Sequence, residues 1–142
     1  MRYWDASALV SLCVAEPDTG AARRLARDPI VTWNLSTLEI ASAIERRTRE
    51  QVLSSSERTR ALAALSDLAA SWTEVSALGS VRDRAVRLVA IHPLRAGGAA
   101  QLGAALVAVS DRPQGHEFVC TDRRLADAAA REGFAVLPEP ID

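Results

Sequence analysis

Short apolar runs of β character alternate along this chain with longer stretches whose apolar residues recur three and four apart. The runs near residues 2–5, 30–33, 73–76, 117–120 and 134–137 read as strands. The stretches near 7–14, 18–27, 36–49, 55–71, 79–91, 94–109 and 123–132 read as helices. Pro17, Ser36, Ser54 to Ser56, Pro93 and Asp111-Arg112-Pro113 fall between them, where caps and turns belong. A repeated strand and helix bury each other when the helices cover the faces of a sheet whose strands run the same way. The expected fold is therefore of the α/β class, a three-layer α/β/α sandwich around a mostly parallel sheet. At 142 residues, 49% of them hydrophobic, the chain fits one such domain, 1–142, with a substantial core.

Three acids stand where such strands end. Asp5 closes the run Met1-Arg2-Tyr3-Trp4-Asp5, Glu39 follows the run Ile30-Val31-Thr32-Trp33, and Asp122 follows Phe118-Val119-Cys120. On parallel neighbouring strands the three carboxylates converge outside the carboxyl edge, where open α/β sheets bind ligands. Each also has a local explanation. Ser36 and Glu39 spell the Ser-x-x-Glu of a capping box, Asp5 would serve as N-cap of the helix that follows it, and Thr121 or Asp122 as N-cap of the helix carrying Leu125. Caps leave the common placement of all three unexplained. A carboxylate cluster there suits a hard divalent cation, Mg²⁺ or Mn²⁺, held by a few carboxylates together with water and substrate phosphate. Such an ion makes water nucleophilic and neutralises charge developing on phosphorus, so the expected chemistry is phosphodiester hydrolysis without a covalent enzyme intermediate.

The net charge of -1 neither advertises nor excludes nucleic acid, because a local arginine patch cancels in the total. All 17 basic residues are arginine, which removes every mechanism that needs a side-chain amine. Arg46, Arg47 and Arg49 follow Glu39 by two to three helical turns, either as a solvated helix face or as a patch that tracks RNA phosphates. Cys13 and Cys120 read as small buried hydrophobes, with no Cys-x-x-Cys to suggest a metal pair. His92 and His116 lack the spacing of zinc ligands and read as surface or capping residues; Trp4, Trp33 and Trp72 read as core. Gly97, Gly98 and Gly103 do not make Gly-x-Gly-x-x-Gly. No stretch approaches the roughly 18 apolar residues of a membrane span, and the opening residues are unlike a signal or transit peptide. A soluble, cytoplasmic protein is expected.

Four motifs in order resemble those of a PIN domain, and most closely the VapC-type ribonuclease toxins of bacterial toxin–antitoxin pairs. They are Asp5-x-Ser7-Ala8-Leu9, Glu39 within Leu38-Glu39-Ile40-Ala41-Ser42-Ala43-Ile44, the tract from His92-Pro93-Leu94-Arg95 to Leu102, and Cys120-Thr121-Asp122-Arg123-Arg124-Leu125. The resemblance covers nearly the whole chain. It implies a Mg²⁺- or Mn²⁺-dependent endoribonuclease with an RNA substrate, dimeric and held inactive by a cognate antitoxin. Asp5, Glu39 and Asp122 match the family's acidic positions, as catalytic residues and metal ligands, and Ser7 and Thr121 match its small hydroxyl positions beside them.

One family position departs. Where the pattern has Asp in Arg-Ala-x-Asp-Ala, this chain has Gly98, within Arg95-Ala96-Gly97-Gly98-Ala99. Asp111 lies more than three helical turns further on, which leaves Asp127, about one turn beyond Asp122, as the candidate substitute. Gly98, Leu102 and Leu106 share a helical face, so a side chain at 98 is expected to point toward the other acids. Two readings stay open: a nuclease of reduced activity, or a catalytically silent PIN-like module that contacts RNA or antitoxin. A phospho-acceptor receiver domain gathers acids similarly but would need a lysine that is absent here. Leu9, Val10, Leu12 and Val14, with the alanine-rich helices, exceed what a monomer needs to cover its sheet. A homodimer with an exposed apolar groove for an antitoxin segment is the expected assembly.

Overall fold

The computed structural model describes residues 1–15 and 19–139. Five strands, β1 (Arg2–Trp4), β2 (Val31–Trp33), β3 (Thr73–Val75), β4 (Glu117–Val119) and β5 (Ala135–Leu137), form one all-parallel sheet in the order β3-β2-β1-β4-β5. Between them run α1 (Ala6–Cys13), α2 (Thr19–Leu25), α3 (Ser36–Arg49), α4 (Ser55–Ser71), α5 (Leu78–Ile91), α6 (Ala96–Ala108) and α7 (Arg123–Glu132). Each expected strand and helix is present, with boundaries within two residues of those read from the sequence. The expected turn at Pro17 and helix start at residue 18 lie outside the described residues.

The chain steps outward from β1 through β2 to β3, then crosses back past β1 to lay down β4 and β5. Parallel crossovers keep one hand, so reversing the direction of travel moves the helices to the other face. Alternation along each strand then feeds two cores. Tyr3 and Phe118 join Val81, Leu88, Leu102, Leu106 and Leu125 under α5, α6 and α7, with Tyr3 stacked on Phe118 at 5.3 Å between centroids. Trp4 and Val119 join Leu9, Ile40, Ile44 and Leu65 under α1, α3 and α4. A sheet covered on both faces needs apolar residues at successive strand positions, which is why the strands read as continuous runs.

Where α5 crosses α6, a Cβ on Gly103 would stand 2.9 Å from the Val81 carbonyl oxygen and 3.3 Å from the Ala85 nitrogen. Only glycine lets these two backbones approach so closely. The capping box falls at α4 and not at α3. Ser54 Oγ accepts from the Glu57 N–H at 3.1 Å, and Glu57 Oε1 accepts from the Ser54 N–H at 2.9 Å. At α3 the N-cap position belongs to Leu35, with no side-chain cap, and the buried Ser36 hydroxyl turns instead to Thr32 Oγ1 at 2.7 Å.

One further expectation is corrected. Leu9, Val10 and Val14 are buried in the chain's own core and Leu12 is half-buried, so α1 holds no surplus apolar surface. Among the described residues, the exposed large apolar ones are Leu78, Val86, Val89 and Ile91 on α5, Leu35 and Leu38 at the start of α3, and the separate Met1 and Val52. Of the two roles expected for His92, surface or capping, it takes the second: it is the C-cap of α5, its N–H on the Leu88 carbonyl at 2.9 Å, and its ring is buried, with Nε2 2.7 Å from Glu132 Oε2, while Arg87 holds the other Glu132 oxygen at 2.8 Å. The three tryptophans are buried, and both cysteines are free. No helix among the described residues is long and apolar enough to cross a membrane.

Candidate metal centre

Between β1 and β4 the strand order reverses, and at such a point a crevice opens beyond the carboxyl ends of the strands. Asp5 is the first residue past β1, and its N–H extends the pairing to the Val119 carbonyl at 3.0 Å. Glu39 lies in the first turn of α3, which follows β2, and Asp122 is the N-cap of α7, which follows β4. All three line one cavity of about 940 Å³. Ser7, Ser42, Arg46, Arg95 and Arg124 line it too, with Leu38, Leu94 and Leu125 as apolar wall.

Each carboxylate has one oxygen engaged by the protein. Asp5 Oδ2 accepts from the Ser7 N–H at 3.2 Å, from the Ser7 hydroxyl, and from the Cys120 thiol at 3.6 Å. Glu39 Oε2 accepts from Gln101 Nε2 at 3.1 Å, and Asp122 Oδ1 accepts from the Leu125 N–H at 3.1 Å. Among the described residues, Asp5 Oδ1, Glu39 Oε1 and Asp122 Oδ2 take no hydrogen bond and no ion pair. Helix cap and ligand are thus compatible roles for Asp5 and Asp122, one oxygen serving each.

Burial raises the Asp5 carboxyl above its ordinary range; the Ser7 bonds oppose the rise and the nearby Asp122 charge adds to it. Burial likewise pushes Glu39 up to about 7, against the Gln101 bond and with help from Asp5. The Cys120 thiol is driven far up by burial and by Asp5, so it remains a protonated donor. Carboxylates raised by desolvation and by one another gain from a nearby cation, and none of Arg46, Arg95 and Arg124 forms an ion pair with them. The free donors are all carboxylate oxygens, which fits a hard divalent ion. Among the described residues no three His, Cys, Asp or Glu side chains converge closely enough to hold an ion by themselves. Water and a substrate phosphate would complete the shell, as is usual for Mg²⁺.

No protein-family model matches the chain. It is similar to ribonuclease VapC45 of Mycobacterium tuberculosis (strain CDC 1551 / Oshkosh) and to ribonuclease VapC49 of Mycobacterium tuberculosis (strain ATCC 25618 / H37Rv). Each is 32% identical over 142 residues, covering 99% of this chain and 96% of the relative. The chain belongs to the VapC ribonuclease family. The all-parallel sheet between two helical layers is the PIN-like sandwich that the VapC resemblance implied.

The residues singled out by the VapC motifs do not all reach the cavity. Ser7 does, bonded to Asp5; Thr121 is exposed and gives Ser7 Oγ its backbone N–H at 3.3 Å, while its hydroxyl makes no bond among the described residues. Of the arginine trio only Arg46 lines the cavity; Arg47 turns back to the Ala43 carbonyl at 3.4 Å and Arg49 is exposed elsewhere. Asp127 is exposed on α7 and lies outside the cavity lining, and Asp111 is paired with Arg84 at 2.6 Å. Gly98 lines the cavity, but a Cβ there would first meet Leu125 at 3.8 Å and Leu94 at 4.0 Å. Gly97 is the glycine that faces an acid, its Cβ position being 3.7 Å from Glu39 Oε1. Sequence reasoning missed Arg95, Arg124, the Cys120 thiol and Gln101. For Gln101 a signal existed: it is the one polar side chain between Ala99 and Val109.

Proposed function

We propose that this chain is a Mg²⁺- or Mn²⁺-dependent endoribonuclease, the toxin of a toxin–antitoxin pair, that acts in the cytoplasm and hydrolyses RNA phosphodiester bonds at Asp5, Glu39 and Asp122. The observation that carries it is three carboxylates from three strand ends lining one cavity, each with an oxygen free of protein partners. Those oxygens would hold the ion. When bound, Mg²⁺ or Mn²⁺ supplies a nucleophilic water and positive charge opposite the phosphorus. The remaining work belongs to the chain. Ser7 and Cys120 fix the Asp5 carboxylate, and the Leu125 N–H fixes Asp122. Arg46, Arg95 and Arg124 reach the cavity from α3, the N-cap of α6 and α7, without acidic partners among the described residues, and would grip the RNA backbone on either side of the scissile bond.

The partners of this reading are RNA, a cognate antitoxin segment and a second copy of the chain. Leu78, Val86, Val89 and Ile91 on α5 offer the apolar surface for assembly, and strictly monomeric sedimentation over a wide concentration range would reject the dimer. Gly98 and the absence of three convergent donors among the described residues favour one competing reading, a silent module that binds RNA or antitoxin without cleaving. Cleavage of RNA by the purified chain with and without Mn²⁺, beside Asp5→Asn, separates the two. The nuclease cleaves only with metal, and Asp5→Asn lowers the rate by about a hundredfold or more. Equal metal-dependent rates would remove Asp5 from the site; no cleavage by either protein would leave the silent module.

A further inference from the structure

The Gln101 amide lies wholly inside the protein, on a stretch of α6 whose other residues are apolar. A buried amide is costly unless its bonds are made, and here they are made in one direction. Tyr3 donates its hydroxyl to Gln101 Oε1 at 2.6 Å, and Gln101 Nε2 donates to Ser36 Oγ and to Glu39 Oε2, both at 3.1 Å. Ser36 Oγ is 2.7 Å from Thr32 Oγ1, which donates to the Trp4 carbonyl at 2.7 Å. Because Thr32 uses its only proton on Trp4, Ser36 must donate to Thr32 and accept from Gln101. The Tyr3 bond fixes the same amide orientation from the other side. Both ends of the chain therefore turn the NH₂ group toward Glu39.

We propose that Gln101, oriented by Tyr3 and Ser36, is the positioning residue that holds Glu39 with Oε1 turned free in the cavity. The inference rests on Glu39 being a metal ligand. Apolar residues at 101 and 3 together would suit this buried surrounding without leaving either partner of the Tyr3–Gln101 bond orphaned, so the amide's contribution lies in the site and not in the core.

The test pairs Gln101→Leu with Tyr3→Phe, which removes both partners of the buried bond and leaves neither orphaned. Mn²⁺ affinity of the full chain, its metal-free melting temperature and its RNA cleavage are measured beside Glu39→Gln. The double variant is expected to melt at or near the parent temperature while Mn²⁺ affinity falls about tenfold or more, the scale of losing a group that orients a ligand. Cleavage falls with it and recovers at raised Mn²⁺, with the KM for RNA unchanged. Parental Mn²⁺ affinity would overturn the proposal, and so would a fall in melting temperature with affinity intact, since that is the mark of a merely structural amide. Should the double variant not fold, Gln101→Met, which keeps the side-chain volume and removes the donor, takes its place and is expected to weaken Mn²⁺ binding about tenfold; an unchanged affinity overturns the proposal equally. If Glu39→Gln itself keeps parental affinity, the metal-site reading falls and takes this one with it. If Glu39→Gln weakens binding and the double variant does not, Gln101 alone is displaced.

Discussion

Glu39 concentrates the electrostatic tension of the site in one side chain. Its carboxyl is pushed up to about 7 from an ordinary 4.5, chiefly by burial. Between those values the folded chain keeps a proton that the unfolded chain has lost. Metal-free stability from this group is thus fullest below about pH 4.5 and is lost as pH rises through about 7. The whole shift corresponds to about 3 kcal/mol, which solvent at the cavity mouth screens to about 1–2 kcal/mol. Glu39→Gln is therefore expected to outlast the parent by that amount at pH 8 without metal, and to match it at pH 4. It should also lose most of the stabilisation that Mn²⁺ gives the parent; denaturation across pH, with and without Mn²⁺, checks both. Gly98→Asp works in the opposite sense. Its Cβ fits between Leu94 and Leu125 without displacing either, and an acid in the first turn of α6 is favoured by the helix dipole. The added carboxylate should tighten Mn²⁺ binding about tenfold and raise RNA cleavage. Gly97→Asp, set against Glu39 Oε1, should destabilise the metal-free protein instead. Equal Mn²⁺ affinity in Gly98→Asp and the parent would show that position 98 does not reach the ion.

At the scale of elements, the seam between α5 and α6 is the least forgiving. Gly103→Ala drives a methyl against the Val81 carbonyl, and the backbone shift should cost about 1–3 kcal/mol, read as a lower melting temperature. Because Gly98 and Gln101 ride on α6, RNA cleavage should fall further than the loss of folded protein explains. Strands and helices were legible in the sequence because burial on both sheet faces writes continuous apolar runs, and burial on one helix face writes a period of three and four. Asp5, Glu39 and Asp122 were legible because each sits beside a strand end. What the sequence did not disclose depended on distant partners. The Ser-x-x-Glu at Ser36 looked like a cap, yet Thr32 and Gln101 offered its hydroxyl buried bonds that a helix end could not match. His92 became a buried residue through Glu132, 40 positions away. Arg46, Arg47 and Arg49 share a helix but not a direction, since each step along α3 turns the side chain by about 100° and only Arg46 comes round to the cavity.

For the molecule as a whole, charge is distributed so that a net charge of only -1 conceals a polarised opening, with three arginines around three acids. Arg46→Ala and Arg124→Ala, made in the Asp5→Asn background, should each weaken RNA binding and flatten the dependence of log affinity on log salt by about 0.7. Arg47→Ala should leave that slope unchanged, and titration of a short RNA at several salt concentrations measures all three. The order in which the sheet is laid down also sets when the three acids can come together. Asp5 and Glu39 are made well before Asp122, which follows β4, an interior strand that lies against the central β1. At about 5–20 residues per second, translation needs several seconds after Glu39 before Asp122 is joined to the chain. Throughout that interval the growing polypeptide has its middle seam open and one acid unmade. A site that needs all three acids would close only once β4 has docked on β1, at a moment when a partner already in solution could meet it.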